Sequence, residues 1–230
     1  MGAVGANQSS SGLKLVYGED TGSSKVPQKL IDFENQKRNG KIEFNMVFDA
    51  DGNLLESRKG GKKSVKVSVW SLDHGEVYTH IHPRDDEDVY GGTFSPSDMW
   101  SFLHHSIRTY RAAGREGTYS ITKSDALRQN PQLRDAMFKE YVAFEKQVQA
   151  DGNKEFAVIK KNYGDANSKI YAEYKSGSIS YEEYKKRNDV LYKSFSKQTA
   201  DLNNKTLVAL HNWFLDNRKK YGYTYGLQKV

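Results

Sequence analysis

The sequence predicts an α/β protein in which strands come first and helices follow. Three observations carry that expectation. Apolar and polar residues alternate in several segments before residue 123, the apolar spacing turns helical from Pro131 onward, and the charge differs between the two halves. Residues 1–122 carry 15 basic and 16 acidic side chains, against 20 and 13 in residues 123–230. With 37% hydrophobic and 12% aromatic residues, a chain of 230 can bury one sizeable core and still support an appendage.

Residues 1–25 are rich in Gly and Ser and read as a flexible N-terminal tail. They have neither a basic n-region nor an apolar h-region, and no segment approaches the roughly 20 apolar residues of a bilayer span. The expected setting is therefore cytoplasmic, with no membrane partner. In KIEFNMVF (41–48), Ile42, Phe44, Met46 and Phe48 alternate with Glu43, Asn45 and Val47, so Glu43 falls on the face opposite the apolar row. DADG (49–52) is a turn signal, after which NLLESR returns as the partner strand. A further alternation in SVKVSVW puts Val65, Val67 and Val69 on one face and reads as a third strand. In EVYTHIH, Val77, Thr79 and Ile81 share one face while Tyr78, His80 and His82 share the other.

An acidic loop follows, with Asp85, Asp86, Glu87 and Asp88 and then Tyr90, Gly91 and Gly92. It lacks calcium-loop spacing and reads as a flap. SPSDMWSFLHHSI then opens a helix, with Ser95 at the N-cap and Pro96 at its first position. RTYRAAG and GTYSIT read as a hairpin around Gly114 to Gly117. Residues 26–124 thus form the expected core domain, and 125–230 a helical extension of four segments. The last of these, at about 200–222, carries Leu207, Leu210, Trp213 and Phe214 at helical spacing, stops at Gly222 and should pack back on the core. The tyrosines of these helical segments read as packing residues and the scattered lysines as a solvated face, which disfavours nucleic acid as a partner.

The absence of cysteine removes disulfides, thiolate zinc sites, cysteine nucleophiles and the cysteine-ligated deaminases. No HExxH helix, Gly-x-Ser-x-Gly elbow or Walker loop occurs. His, Asp and Glu remain as metal ligands. A zinc hydrolase needs about three protein ligands, an open position, and a carboxylate to take a proton from water. His80 and His82 project from one strand face about 6–7 Å apart along the strand, Asp98 at the next helix start could complete the set, and Glu43 could serve as general base. Each piece has a plain structural alternative, since Ser95 to Asp98 also spells a capping box and the two roles are compatible. His74, His104, His105 and His211 are not chosen as ligands.

Taken together, Glu43, then His80-Ile81-His82-Pro83, then Ser95-Pro96-Ser97-Asp98 resemble the signature of the JAB/MPN (JAMM) metallopeptidase family, most closely its bacterial and phage branches. The resemblance covers residues 30–122 or so. It implies a mixed, curved sheet flanked by helices in a deaminase-like topology, and one Zn2+ per chain held by His80, His82 and Asp98. It further implies that Glu43 activates water and that Ser95 stabilises the oxyanion. The activity so implied is hydrolysis of a peptide or isopeptide bond in a protein or peptide substrate, typically at the C-terminus of a ubiquitin-like protein, in a bacterial or phage-infected cell. Two departures stand out: twelve residues separate His82 from Ser95, more than is usual, and Ile81 is apolar where relatives often carry Asn or Ser. The alternative reading is a catalytically silent binding or scaffold module of phage or mobile-element origin, whose basic helical half binds a protein or nucleic acid.

Overall fold

The computed structural model describes residues 15–18, 26–83, 92–115 and 117–229. In chain order the elements are α1 (Gln28–Lys37), β1 (Phe44–Phe48), β2 (Leu54–Lys59), α2 (Val69–His74), β3 (Val77–Ile81), α3 (Pro96–His104), β4 (Thr109–Ala113), β5 (Thr118–Lys123), α4 (Asp125–Gln129), α5 (Pro131–Lys175), α6 (Tyr181–Tyr221) and β6 (Tyr223–Gln228). The strands form one mixed six-stranded sheet in the order β2-β1-β3-β4-β5-β6. No helix among the described residues is long and apolar enough to cross a membrane.

The first hairpin forms as its alternation and turn chemistry dictate. The Asp49 carboxylate accepts from the backbone N–H groups of Asp51 and Asn53 at 3.0 and 2.8 Å, and Gly52 takes a φ of 84°. The parallel pair β3–β4 needs a crossover, which contains α3. That crossover sets the start of α3 beside the end of β3.

One sheet face carries the main core, where Val47, Tyr78, Tyr110, Tyr119 and Ile121 meet Met99, Phe102, Leu103, Tyr141 and Phe214. The other face is covered by α1, whose Leu30 packs with Met46, Phe48 and Val77. Under α1 lies a buried ion pair: Arg111 donates to Glu34 from Nε and Nη2 at 2.8 and 2.9 Å, and the Thr79 and Thr118 hydroxyls donate to the same carboxylate.

Four expectations change. SVKVSVW is not a strand: the Ser68 hydroxyl and N–H and the Ser71 hydroxyl bind the Glu56 carboxylate, and Ser68 caps α2 by accepting from Ser71 N–H. That anchor turns the chain into a helix whose Val69 and Trp70 stay 62% and 56% exposed. The four expected helical segments are two, because Gly152 lies within α5 without breaking it, α6 runs unbroken through the expected junction near residue 200, and the reversal occurs near Gly177, at φ 76°. Gly222 does end α6, in the left-handed conformation, but the chain then returns as β6 along β5. Within the expected tail, Leu15 and Tyr17 are buried and Gly18 bridges to Leu227; residues 1–14 and 19–25 lie outside the described residues, as does the acidic run Asp85 to Asp88 with Tyr90.

At 45 and 41 residues, α5 and α6 make a hairpin arm about 60–70 Å long. Its foot belongs to the core through Met137 and Tyr141 on α5 and the residues from Leu202 to Tyr221 on α6. Beyond the foot it is held by contacts such as Tyr163 with Phe195 and Tyr174 with Tyr184.

Candidate metal centre

His80 lies on β3 with its ring on the α3 side of the sheet, and His82 follows just past the strand end, as the period of two requires. Asp98 sits at the third position of α3. The Ser95 hydroxyl accepts from Asp98 N–H at 3.2 Å, and the Asp98 carboxylate accepts from Ser95 N–H through Oδ2 at 2.8 Å. This capping box also aims the carboxylate, since the Ser95 hydroxyl approaches the same Oδ2 at 2.7 Å. The other oxygen, Oδ1, is left toward the histidines.

The donor atoms of His80, His82 and Asp98 all lie within 4.8 Å of one another, a group that could hold a metal ion. His80 Nε2 is 2.8 Å from His82 Nε2 and 3.4 Å from Asp98 Oδ1. A tetrahedral ion with bonds of about 2.0–2.1 Å separates its ligands by about 3.3 Å, so the spacing fits with small adjustments. The tautomer of His82 agrees. His82 Nδ1 lies 2.6 Å from the Gly92 carbonyl, to which it donates as N–H, leaving Nε2 with its lone pair turned toward its partners. The same contact brings the two ends of the acidic loop together. Without a proton or a cation between them, two imidazole lone pairs at 2.8 Å repel each other.

Electrostatics favour the ligating forms. Burial pushes the His80 pKa down to about 4, against the opposing pull of Asp98, so the ring is neutral at physiological pH. Burial would raise the Asp98 carboxyl, but the two histidines and the Ser95 hydrogen bonds outweigh it and hold the pKa below the ordinary value. Two neutral imidazoles and one carboxylate make a borderline N/O donor set.

Glu43 lies just before β1 and continues the hairpin register, with its N–H donating to Gly61 O at 2.7 Å and its carbonyl accepting from Gly60 N–H at 2.8 Å. Its carboxyl pKa is raised to about 7, first by burial and then by the charge of Asp98, while the Val65 backbone opposes the rise. The charge of Asp98 thus reaches Glu43, which stands outside the group of three donor residues. The sequence reading missed the support behind Asp98: Tyr110 donates to Oδ1 at 3.2 Å, and the Tyr78 ring packs against that of Tyr110 with centroids 4.4 Å apart. The alternation that put Tyr78 on the face of His80 was the available signal. Of the histidines passed over, His74 stacks on Trp70 and His211 is buried against Tyr225 and the Val16 carbonyl.

No family model, curated protein or solved structure matches this chain, and the case for a function rests on the site itself.

Proposed function

We propose that the protein is a zinc-dependent hydrolase of the JAB/MPN type that cleaves a peptide or isopeptide bond. The observation that carries this reading is the convergence of His80 Nε2, His82 Nε2 and Asp98 Oδ1 beside a partly buried glutamate whose pKa is raised to about 7. A zinc ion held by those three residues would supply Lewis-acid polarisation and lower the pKa of a water. Glu43 takes the proton of the attacking water and returns it to the leaving amine, a task suited to a carboxyl that titrates near neutrality. Ser95 has two parts in the proposal: it fixes Asp98 through Oδ2, and on rotation its hydroxyl can donate to the oxyanion. The substrate would be a protein or peptide, with a ubiquitin-like C-terminus as the first class to try.

Elemental analysis of protein prepared with ample zinc tests the metal, and cleavage of peptide and isopeptide-linked substrates tests the chemistry. About one zinc per chain is expected, absent from His82→Ala and retained by Glu43→Gln. The glutamine variant should lose at least ~100-fold in rate. Metal-free wild-type protein under these conditions refutes the reading, whereas a zinc-loaded protein with no hydrolytic activity favours the scaffold alternative.

A further inference from the structure

At the far end of α3 from Asp98, about 12 Å along the helix, a cavity of about 370 Å³ has Ser106, Lys123, Asp125, Arg128 and Arg134 among its lining residues. Three basic side chains, Lys123, Arg128 and Arg134, face it against a single carboxylate. The acids nearby are already engaged: Asp125 pairs with Arg128 at 3.8 Å, Asp73 with His105 at 2.9 Å and Asp135 with His104 at 3.2 Å. Among the described residues neither Lys123 nor Arg134 has a carboxylate within ion-pair distance, and Glu76 and Asp73 act on Lys123 only from farther away.

Lys123 is 2% exposed, and its Nζ donates to the carbonyls of Phe102 and His105 at 2.7 Å each. Those bonds satisfy the C-terminal end of α3 and use two of its three protons. Arg134 spends Nη1 on the Arg128 carbonyl, and its buried Nε has no partner. Burial, followed by the like charges of Arg134 and Arg128, lowers the Lys123 pKa to about 7. A cluster of this kind is complete once an anion enters it.

We propose that this cavity binds a phosphate group, either free or carried by a small phosphomonoester, through Arg128, Arg134 and the third proton of Lys123, with the Ser106 hydroxyl beside them. Guanidinium forks match phosphate oxygens in pairs, which favours a tetrahedral oxyanion over chloride. The volume exceeds what a bare phosphate fills, so an organic group on the ester fits as well. The site shares no residue with the candidate metal centre, and its occupancy is independent of hydrolysis.

The test is calorimetric titration of the full-length protein with inorganic phosphate and, in a second arm, with adenosine monophosphate. Both are run at constant ionic strength with a chelator present, so that a metal ion cannot hold the ligand. Because Lys123→Met removes a helix cap and could unfold the chain, the variants are Arg128→Gln and Arg134→Lys. Saturable binding is expected, weakened at least about tenfold by Arg128→Gln and measurably by Arg134→Lys, and unchanged in His82→Ala. Tighter binding of the nucleotide assigns the remaining volume to its organic part, and equal binding assigns the site to the free anion. Heat no greater than that of matched chloride, binding undiminished in both arginine variants, or binding lost in His82→Ala overturns the proposal.

Discussion

Replacing Glu34 by glutamine should cost about 3–5 kcal/mol of folding stability, because it breaks a buried ion pair and leaves one charge behind. Glu34 is 1% exposed and accepts from Arg111 Nε and Nη2 and from the hydroxyls of Thr79 and Thr118. Glutamine keeps the volume and one acceptor oxygen, so packing loss contributes little. The cost comes from Arg111, 2% exposed, which becomes an unpaired cation under α1. For a chain of this size each kcal/mol moves Tm by about 2–4 °C, which puts the expected drop at about 6–20 °C. Urea unfolding monitored by circular dichroism should show a lower midpoint with an unchanged slope. Adding Arg111→Met should recover much of the loss, since the charge and its counter-charge then leave together. A single variant within 1 kcal/mol of wild type, or a double variant as unstable as the sum of the singles, refutes the reasoning. The pair also matters to the site: Thr79 and Arg111 neighbour His80 and Tyr110 in sequence and point to the opposite face.

Tyr110→Phe removes the hydroxyl that steadies Asp98 Oδ1 and should weaken zinc binding by about tenfold without unfolding the chain, as read by competition with a chelating dye. In the metal-free protein, Glu43 holds its proton more tightly folded than unfolded, its pKa being about 7 against 4.5. It therefore makes stability fall as pH rises from about 4.5 to about 7, and Glu43→Gln should flatten that fall in parallel melts. Lys123 acts with the opposite slope. Its pKa of about 7 against 10.5 means that the unfolded chain binds more protons between those values, so stability rises with pH across that window, a rise that melts of the Glu43→Gln protein between those two values should show. Replacing residues 159–198 by a short Gly-Ser turn should leave Tm within a few degrees and zinc content unchanged, because no residue in that span is buried.

The grouping of His80, His82 and Asp98 was more legible in the sequence than the sheet around it. His80, His82 and Asp98 were legible because strand period and helix capping are local rules, and the crossover from β3 to β4 then carries both elements to one place. Glu43 was legible only through its pattern with the others, since its raised pKa depends on burial and on the charge of Asp98, neither of which is local to its strand. SVKVSVW misled because its alternation is real, while the Glu56 carboxylate that caps α2 through Ser68 comes from another strand. α1 was missed because it buries only Leu30 and Glu34, and the partner that makes a buried glutamate tenable lies 77 positions away. Tyr110 was read only as part of the RTYRAAG strand.

The last strand has a kinetic consequence. Lys123 pairs with Tyr223, one hundred positions later, and an unstructured loop of that length would cost about 4 kcal/mol to close beyond the fixed term. The arm removes most of that cost if it zips first from its turn near Gly177, a sequence-local event on the microsecond scale of helix formation. Tyr221 and Lys220 then arrive at Glu140, and β6 is delivered beside β5 already in register. Gly18 docks on Leu227 only after that. On that order of assembly, the sheet edge and the Gly18 bridge form only once β6 has docked on β5.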